Sequence, residues 1–233
     1  MSKLYLIPTP LGEKDFDALF PNVNSVVINT IDAFIVENVR EARRFLKKAG
    51  FTANFDNVEF VEINEHSKIL HYADLLKPAL AGRDMGLLSD AGVPCVADPG
   101  NKVVAEAHRL GIQVVPLVGP SSIILSLMAS GLNGQNFAFN GYLPIEQDRR
   151  ERQINFCETL IEKSNQTQIF IETPYRNNHL LESLLKVCKP DTRLCVAANV
   201  ATDEENILTQ TIAKWRKTTF NYHKQPAIFL IGK

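Results

Sequence analysis

The sequence predicts an α/β protein of two domains, with a parallel sheet in the first domain and a mixed sheet in the second. In the first half, short apolar runs typical of buried strands alternate with helical patterns, which is the order of βαβ units. Near the C-terminus, successive apolar runs are separated only by short turns or a brief helix, which favours antiparallel pairing. We therefore expect an N-terminal domain at residues 1–117 and a C-terminal domain at residues 121–233, joined near residues 117–120.

Local patterns predict each element of the first domain. Apolar or alternating runs predict the strands, and amphipathic runs predict the helices, two of which stop at Gly50 and Gly111. The predicted strands are residues 4–7, 33–36, 58–63, 85–89 and 114–116. The predicted helices are residues 39–49, 69–80 and 102–110.

The second domain begins where Ser121 can cap a helix that runs to about residue 130. Its further helices are expected at residues 147–164 and 177–188, with a brief one around Trp215. Its strands are expected at residues 137–140, 168–172, 193–198, 207–211 and 227–231.

Composition limits the class of protein. With 233 residues and a formal charge of −1, the chain lacks the basic surplus of proteins that hold nucleic acid by bulk electrostatics, although a local basic face remains possible. Four well-separated cysteines, and a strand-like start that leaves no room for a secretion signal, favour a reducing compartment, the cytoplasm. Residues 110–145 carry no charge, but prolines and glycines interrupt them. We expect this segment to be protein interior and not a membrane span.

The segment at residues 89–100 is the first candidate for a ligand site. It has the sequence S-D-A-G-V-P-C-V-A-D-P-G and follows the apolar run at residues 85–88 directly. Open α/β sheets bind ligands outside the carboxyl ends of their strands, so a loop rich in glycine and carboxylate is expected to bind a small molecule there. Asp90, nearest the strand end, is the better ligand candidate, whereas Asp98 has the position of a cap for the following helix.

Two other loops, at residues 8–12 and 118–122, carry similar glycine, proline and serine residues, and we expect the three loops to meet over one cleft. Motifs for phosphate loops, dinucleotide binding, zinc proteases and serine hydrolases are absent from the sequence. The five histidines are scattered, so we expect no bound metal.

A basic face is predicted on the helix at residues 39–49. Five cations recur there at helical spacing: Arg40, Arg43, Arg44, Lys47 and Lys48. They form either a solvated surface, partly neutralised by Glu37 and Glu41, or a rail for a phosphate backbone, which Arg149, Arg150 and Arg152 could extend.

Five segments in order along the chain resemble the tetrapyrrole methylase superfamily, and more narrowly its branch of ribosomal small-subunit RNA (cytidine) ribose 2'-O-methyltransferases. They are L-Y-L-I-P-T-P-L-G at residues 4–12, the loop at 89–100, V-P-L-V-G-P-S at 115–121, G-Y-L-P at 141–144 and I-E-T-P-Y-R at 171–176. The resemblance implies a methyltransferase of two α/β domains that uses S-adenosylmethionine, with the cofactor in a cleft between the domains. It also implies a homodimer.

By motif match, the resemblance implies cofactor contacts in both domains. In the first domain and at its border they are Pro10, Leu11, Asp90, Ala91, Gly92, Val93, Ser121 and Ser122. In the second domain they are Glu172, Thr173, Ala198 and Pro226.

The chain departs from the RNA-methylating branch mainly in its polar motifs. The pattern E-D-T-R is here Glu37-Asn38-Val39-Arg40, S-P-H-R is Thr173-Pro174-Tyr175-Arg176, and A-R-E-L-T-K is A-A-N-V-A-T at residues 197–202. A lysine pair after F-L-P-R is replaced by I-E-Q-D at residues 145–148. We take Glu37 and Arg40 as catalytic candidates, with Glu172 as another candidate base. The substrate-binding candidates are Arg40, Arg43, Arg44, Lys47, Glu65 and His66.

The leading hypothesis is a cytoplasmic methyltransferase that uses S-adenosylmethionine to methylate a ribose 2'-hydroxyl of ribosomal RNA. One alternative keeps the reaction and replaces RNA by a tetrapyrrole-like small molecule. A second alternative is a module that binds S-adenosylmethionine or RNA without catalysis.

Overall fold

The computed structural model describes residues 2–12, 16–63 and 71–233. The chain divides into two compact units, Met1–Ser121 and Ser122–Lys233. Each unit is built around one five-stranded sheet.

The sheet of the first unit is entirely parallel. Its strands are β1 (Lys3–Ile7), β2 (Ala33–Val36), β3 (Glu59–Glu62), β4 (Met85–Leu88) and β5 (Gln113–Pro116), in the spatial order β3-β2-β4-β1-β5. All residues of β2 and β4 are buried, because helices cover both faces of the sheet. The predicted parallel sheet is therefore confirmed.

Helices pack on both faces of this sheet. The helices α1 (Phe16–Leu19), α2 (Asn22–Ile28) and α3 (Val39–Lys48) belong to one core with Phe20, Phe34 and Leu46. The helices α4 (Tyr72–Leu75), α5 (Lys77–Leu80) and α6 (Asn101–Arg109) belong to the other, which contains Leu76 and Val103. A 3-10 helix, Phe55–Asn57, precedes β3.

The strand order creates a switch point between β1 and β4. From β1 the chain continues to β2, toward the β3 edge of the sheet. From β4 it continues to β5, at the opposite edge. Adjacent strands whose connections diverge in this way leave a crevice at their carboxyl ends, where α/β proteins bind ligands. Two of the three predicted ligand loops follow these two strands.

The second unit has a mixed sheet, as predicted. Its strands are β6 (Phe137–Tyr142), β7 (Thr167–Ile171), β8 (Arg193–Ala198), β9 (Asn206–Thr211) and β10 (Ala227–Gly232), in the order β6-β7-β10-β8-β9. The pair β6–β7 is parallel, and the other pairs are antiparallel.

One face of this mixed sheet packs against α8 (Gln147–Ser164), α9 (Asn177–Val187) and α10 (Ile212–Trp215). Trp215 is fully buried in that core, and its indole Nε1 donates a hydrogen bond of 2.8 Å to the Leu194 carbonyl. The apolar helix α7 (Ser122–Ser130) packs on β8, β9 and β10, and its buried residues lie outside that core. It therefore covers the other face of the sheet.

Two expectations are wrong, and two short helices were not expected. The helix predicted at residues 69–80 is broken after Leu75, because Pro78 lacks an N–H and belongs to the first turn of a separate helix, α5. The short helices α1 and α2 were not predicted, since the β-branched run in Asn22–Ile28 favours a strand by composition. The uncharged segment is not wholly interior, because Met128 is 73% exposed and Val118 is 75% exposed.

Candidate functional site

Hydrogen bonds join the loops that follow β1 and β4. The Thr9 N–H donates to the Gly92 carbonyl at 2.8 Å, and the Gly92 N–H donates to the Thr9 carbonyl at 3.0 Å. The hydroxyl of Ser89 also donates to the Gly92 carbonyl, at 2.8 Å. The two loops are therefore held together as one surface, which we call the loop edge. Pro10, Leu11 and residues 90–93 lie on it.

The third loop packs against the same edge. A Cβ added to Gly119 would lie 2.1 Å from Pro8 Cγ, so only glycine permits this approach. A Cβ on Gly92, whose φ is +82°, would lie 3.0 Å from Leu11 Cδ2 and 3.6 Å from the Pro120 carbonyl oxygen. The three loops meet, as expected, through Gly119 and Pro120 of the third loop. Ser121 ends the first unit, and Ser122 begins α7.

The loop at residues 89–100 has an unfavourable backbone conformation. Besides glycines, Cys95 and Ala97 have positive φ values, 69° and 63°. A residue with a side chain costs about 1 kcal/mol or more in this region, so the surrounding structure must impose the conformation. Such conformations concentrate at ligand sites.

Three carboxylates lie near the ends of β2 and β4. The Glu37 Oε1 atom accepts a hydrogen bond of 3.1 Å from the Asp90 N–H. Burial, followed by repulsion from Glu37 and Asp90, raises the pKa of Asp98 to about 7. Partial desolvation, with repulsion from Glu41 and Glu62, also raises the pKa of Asp90. The site therefore holds an excess of negative charge.

The expectation that Asp98 caps a helix is wrong. The helix α6 begins at Asn101, and the residue before it, Gly100, has a φ of 119° and provides no side-chain cap. Asp98 precedes that N-cap residue by two positions and so does not occupy the capping position. Its proximity to Glu37, which the sequence pattern did not reveal, is a tertiary feature.

The basic face of α3 is present and exposed. All five cations, Arg40, Arg43, Arg44, Lys47 and Lys48, are exposed, whereas Ala42 and Leu46 on the opposite face are buried. Three of the cations also make local contacts. Arg44 pairs with Glu41 at 2.9 Å, the Arg43 guanidinium lies 5.3 Å from the Phe60 ring centroid, and Lys48 lies over Phe16.

The first turn of α3 explains one departure from the family pattern. The Asn38 Oδ1 atom caps the helix by accepting from the N–H groups of Arg40 at 2.9 Å and Glu41 at 3.2 Å. Asparagine and aspartate cap helices about equally well. Asn38 in place of the family's aspartate therefore preserves the position of Glu37 and Arg40, the two residues of the motif that are retained.

A pocket of about 200 Å³ connects the loop edge with the basic helix. Its walls come from the loops after β1 and β4, from α1 and from α3: Thr9, Pro10, Phe16, Glu41, Ala42, Arg44, Phe45, Lys48, Ser89 and Asp90. Ligand pockets usually span about 300 Å³ or more, so this pocket can hold part of a cofactor or nucleotide. Predicted cofactor and substrate residues thus share one pocket.

Two of the predicted second-unit residues have structural contacts. Glu172 is buried, accepts from the Thr173 N–H at 2.7 Å and pairs with Arg176 at 2.8 Å, so both carboxylate oxygens stabilise the turn after β7. The side chain of Ala198 belongs to the core. Any contact it makes with a ligand would come from its main chain.

Pro226 lies beside the end of β8, since its carbonyl accepts from the Asn199 N–H at 2.9 Å. Thr173 and Pro226 are exposed. Asn199 and Ala201 have positive φ values, 51° and 61°, so the loop after β8 is unfavourable in the same way as the loop after β4.

Some predicted residues are not brought into the pocket. Arg150 uses its guanidinium within its own unit, with bonds to Ser183 and to the carbonyls of Pro144 and Ile145, so it does not extend a free basic surface. Glu65 and His66 lie outside the described residues. In the described part of the chain, histidine, cysteine, aspartate and glutamate form no group of three or more that could hold a metal ion. Across the same residues, no helix is long and apolar enough to cross a membrane.

Comparisons with known proteins agree with this geometry. The family model of Tetrapyrrole (Corrin/Porphyrin) Methylases matches residues 24–215. A protein of Vibrio cholerae named ribosomal RNA small subunit methyltransferase I is 30% identical over 98% of this chain and 76% of its own length. A Halalkalibacterium halodurans protein of the same name is 32% identical over 79% of this chain and 60% of its own length.

The crystal structure of the methyltransferase CobJ superimposes with a TM-score of 0.66. The two chains are 16% identical, and the match covers 100% of this chain and 95% of CobJ. At this identity the likeness shows the fold alone. The family model, however, matches most of the residues of both units. The chain therefore belongs to the tetrapyrrole (corrin/porphyrin) methylase family and, by that membership, is a methyltransferase.

Proposed function

We propose that this methyltransferase uses S-adenosylmethionine to methylate a ribose 2'-hydroxyl of small-subunit ribosomal RNA. The observation that carries the proposal is the first-unit pocket, in which the loop edge with Asp90 adjoins the basic helix α3. The names of the relatives favour RNA over a tetrapyrrole as the acceptor. This chain spans 76% of the length of the first of those proteins and 60% of the second.

The chemistry of the loop edge fits S-adenosylmethionine. This cofactor, when bound, supplies a methyl group on a positively charged sulfonium. Burial, followed by repulsion from neighbouring carboxylates, raises the pKa of Asp90 and Asp98, and a bound cation would relieve that repulsion. We assign Pro10, Leu11, Asp90, Ala91, Gly92, Val93 and Ser121 of the first unit to cofactor binding. On the resemblance alone, Ser122, Glu172, Thr173, Ala198 and Pro226 are the proposed contacts of the second unit.

The acceptor oxygen must lose a proton as it accepts the methyl group. We assign Glu37 as the proton acceptor, since it lies at the end of β2 beside Asp90. Asp98, with a pKa raised to about 7, is a second carboxyl that can exchange a proton near neutral pH. Arg40, in the first turn of α3, would hold a phosphate of the acceptor strand. The rest of the rate enhancement would come from positioning, which can contribute about 7 to 11 kcal/mol.

The basic helix provides the proposed RNA contact. Arg40, Arg43, Arg44 and Lys47 are exposed along one face of α3, which offers a row of positive charges to a phosphate backbone. Glu65 and His66, which lie outside the described residues, remain assigned to substrate binding on the sequence alone.

Two measurements on the full chain test the proposal. Calorimetry is expected to show binding of S-adenosylmethionine by the wild type and binding weakened about tenfold in Asp90→Ala, the size of one charge-assisted interaction. Asp191→Ala, which removes an exposed carboxylate from the second unit, is the control and should bind normally. Incubation with labelled S-adenosylmethionine and small ribosomal subunits should then transfer label to the RNA.

The outcomes separate the hypotheses. No heat of binding for the wild type would overturn the cofactor assignment. Binding without transfer to ribosomal RNA would overturn the RNA assignment and leave the small-molecule enzyme or the non-catalytic module.

We also propose that the protein acts in the cytoplasm as a homodimer. The cytoplasmic location follows from the proposed ribosomal substrate and from four cysteines that all carry free thiols. The support for the dimer is the uncharged helix α7, on which Met128 is 73% exposed.

A further inference from the structure

An exposed cluster of one aromatic and two basic residues lies at one end of the strands of the second sheet. The Tyr175 ring is 67% exposed. Its centroid lies 5.7 Å from the His223 ring, which meets it edge to face, and the Lys224 ammonium lies 5.9 Å from the same centroid. His223 and Lys224 are exposed as well.

This cluster is adjacent to the proposed cofactor residues of the second unit. Tyr175 follows the end of β7, and His223 and Lys224 precede the start of β10. The antiparallel register places Ile171 opposite Ile228, and Ala227 opposite Ala198. The end of β7, the start of β10 and the end of β8 therefore lie at the same end of the sheet. Thr173 and Pro226 lie at that same end.

The segments that carry the cluster are held in place from beneath. The Lys224 N–H donates to the Pro174 carbonyl at 2.9 Å. The buried Asn177 side chain donates to the carbonyls of Tyr222 at 3.2 Å and Gln225 at 2.6 Å. The Asn178 Oδ1 atom accepts from the Tyr222 N–H at 2.8 Å. A network of this kind positions the exposed side chains before a ligand arrives.

Folding alone does not account for the exposed ring. A tyrosine that leaves two thirds of its surface in water adds little to the core. The buried tyrosine of the same region is Tyr222, which packs against Trp215 with ring centroids 6.4 Å apart. Tyr175, in contrast, presents a flat apolar surface with two basic groups beside it. Unpaired nucleotides are bound in this way, with the base stacked on an aromatic ring and the phosphate on a cation.

We propose that Tyr175, His223 and Lys224 form a binding site for one unpaired nucleotide of the RNA acceptor. The base stacks on the Tyr175 ring, and the phosphate binds the Lys224 ammonium, with the His223 ring packed against Tyr175. The site rests on the proposed function, because it serves the RNA substrate of the same enzyme. It selects single-stranded over duplex RNA, since the bases of a duplex are already stacked and closed to a side chain.

Binding of a single-stranded 12-nucleotide RNA, followed by fluorescence anisotropy, tests this site. Tyr175→Ala is expected to raise the Kd about tenfold, within the range measured for one stacked base. Tyr175→Phe should bind within about twofold of the wild type, because the ring is kept. Lys224→Gln should reduce the magnitude of the negative slope of log K against log salt by about one, because one phosphate contact is lost. Affinity for S-adenosylmethionine, measured by calorimetry, should not change in any of these variants.

Two controls make the result specific. Phe156→Ala removes another exposed ring, 56% exposed and located on α8, and should leave RNA binding unchanged. Duplex RNA of the same sequence should bind equally well to the wild type and to Tyr175→Ala. The inference is overturned if Tyr175→Ala binds the single strand as the wild type does, or if Phe156→Ala causes the same loss.

Methyl transfer by the wild type separates this inference from the proposed function. Transfer to ribosomal RNA that is equally efficient in Tyr175→Ala would overturn only the nucleotide site. Failure of the wild type both to bind RNA and to methylate it would overturn the proposed function, and the nucleotide site with it.

Discussion

The role of Asp98 in the structure differs from the role that its sequence position predicts. Its position before Pro99 and Gly100 is typical of a cap, but the structure places it beside Glu37 and Asp90. Burial there favours the neutral acid, and so does repulsion from these two neighbours. The pKa of about 7 is thus a consequence of burial and of the meeting of two loops, one after β2 and one after β4, that are distant in sequence.

We predict that Asp98→Asn changes the pH dependence of stability. The pKa of Asp98 in the folded state lies above its ordinary value of 3.8, so its contribution to stability is complete below pH 3.8 and is lost as the pH rises toward about 7. Asparagine does not titrate. Relative to the wild type, the variant should therefore gain about 1 to 3 kcal/mol in free energy of unfolding between pH 4 and pH 8, after allowance for partial solvation.

Urea unfolding at both pH values measures this difference. Asp56→Asn, at an exposed carboxylate of the same unit, is the control and should show no such change. An Asp98→Asn effect of equal size at pH 4 and pH 8 would contradict the assigned pKa.

Among the elements, α7 departs furthest from the usual amphipathic pattern. It carries no charged residue, and its buried face, with Ile123 and Leu127, packs on the second sheet. On the other side, Met128 is 73% exposed and Ile124 is 45% exposed, one helical turn apart. A helix that is apolar on both faces is usually covered by protein on both. This pattern supports the proposal that a second copy of the chain covers α7.

Sedimentation velocity tests this interface. The wild type, with a chain mass of 26.1 kDa, is expected to sediment as a dimer. Met128→Lys places a charge on the apolar face and should raise the dimer dissociation constant at least tenfold, because a buried unpaired ammonium is unfavourable. Val26→Lys changes an equally exposed apolar residue, 68% exposed on α2 of the first unit, and should remain dimeric. A monomeric wild type, or equal effects of the two variants, would contradict the proposed interface.

For the molecule as a whole, charge is distributed unevenly despite a net charge of only −1. Acidic groups concentrate around the loop edge, and α3 presents five exposed cations next to it. A protein with this balance cannot attract RNA through its total charge, so affinity must come from local faces. The salt dependence of binding reports how many phosphates those faces contact.

Charge reversal on α3 measures its share of that binding. The double variant Arg40→Glu and Lys47→Glu removes two exposed cations. For a ribosomal RNA fragment, it should reduce the magnitude of the negative slope of log K against log salt by about two. Lys163→Glu together with Lys217→Glu makes the same charge change on exposed residues of the second unit and should leave the slope unchanged. An unaltered slope in the α3 variant would show that α3 is a solvated surface only.

Periodicity in the sequence was sufficient for the regular elements. The helix at residues 147–164 and the strands at residues 33–36 and 193–198 were predicted with the bounds that the structure has, because their apolar pattern extends over the whole element. Elements that depend on packing were missed. The helices α1 and α2 are short, and their apolar residues contribute to a core that no local pattern describes.

The candidate site was predicted in part. The loop motifs located its loop edge, and the spacing of the cations located the basic helix, since both are local signals. The contacts of Glu172 with Arg176, the burial of Ala198 and the ring contacts of Arg43 could not be predicted, because each depends on a tertiary neighbour.

By itself, then, the sequence determined the α/β class, the resemblance to a methylase family and the loops that should bind a ligand. Those features depend on composition, spacing and order along the chain, all of which can be read without knowing the three-dimensional structure. Only the tertiary structure decided that Asp98 has a raised pKa and that the exposed Tyr175 lies beside two basic groups. Both depend on electrostatic interactions and solvent exposure, which arise from distances between segments that are far apart in the chain.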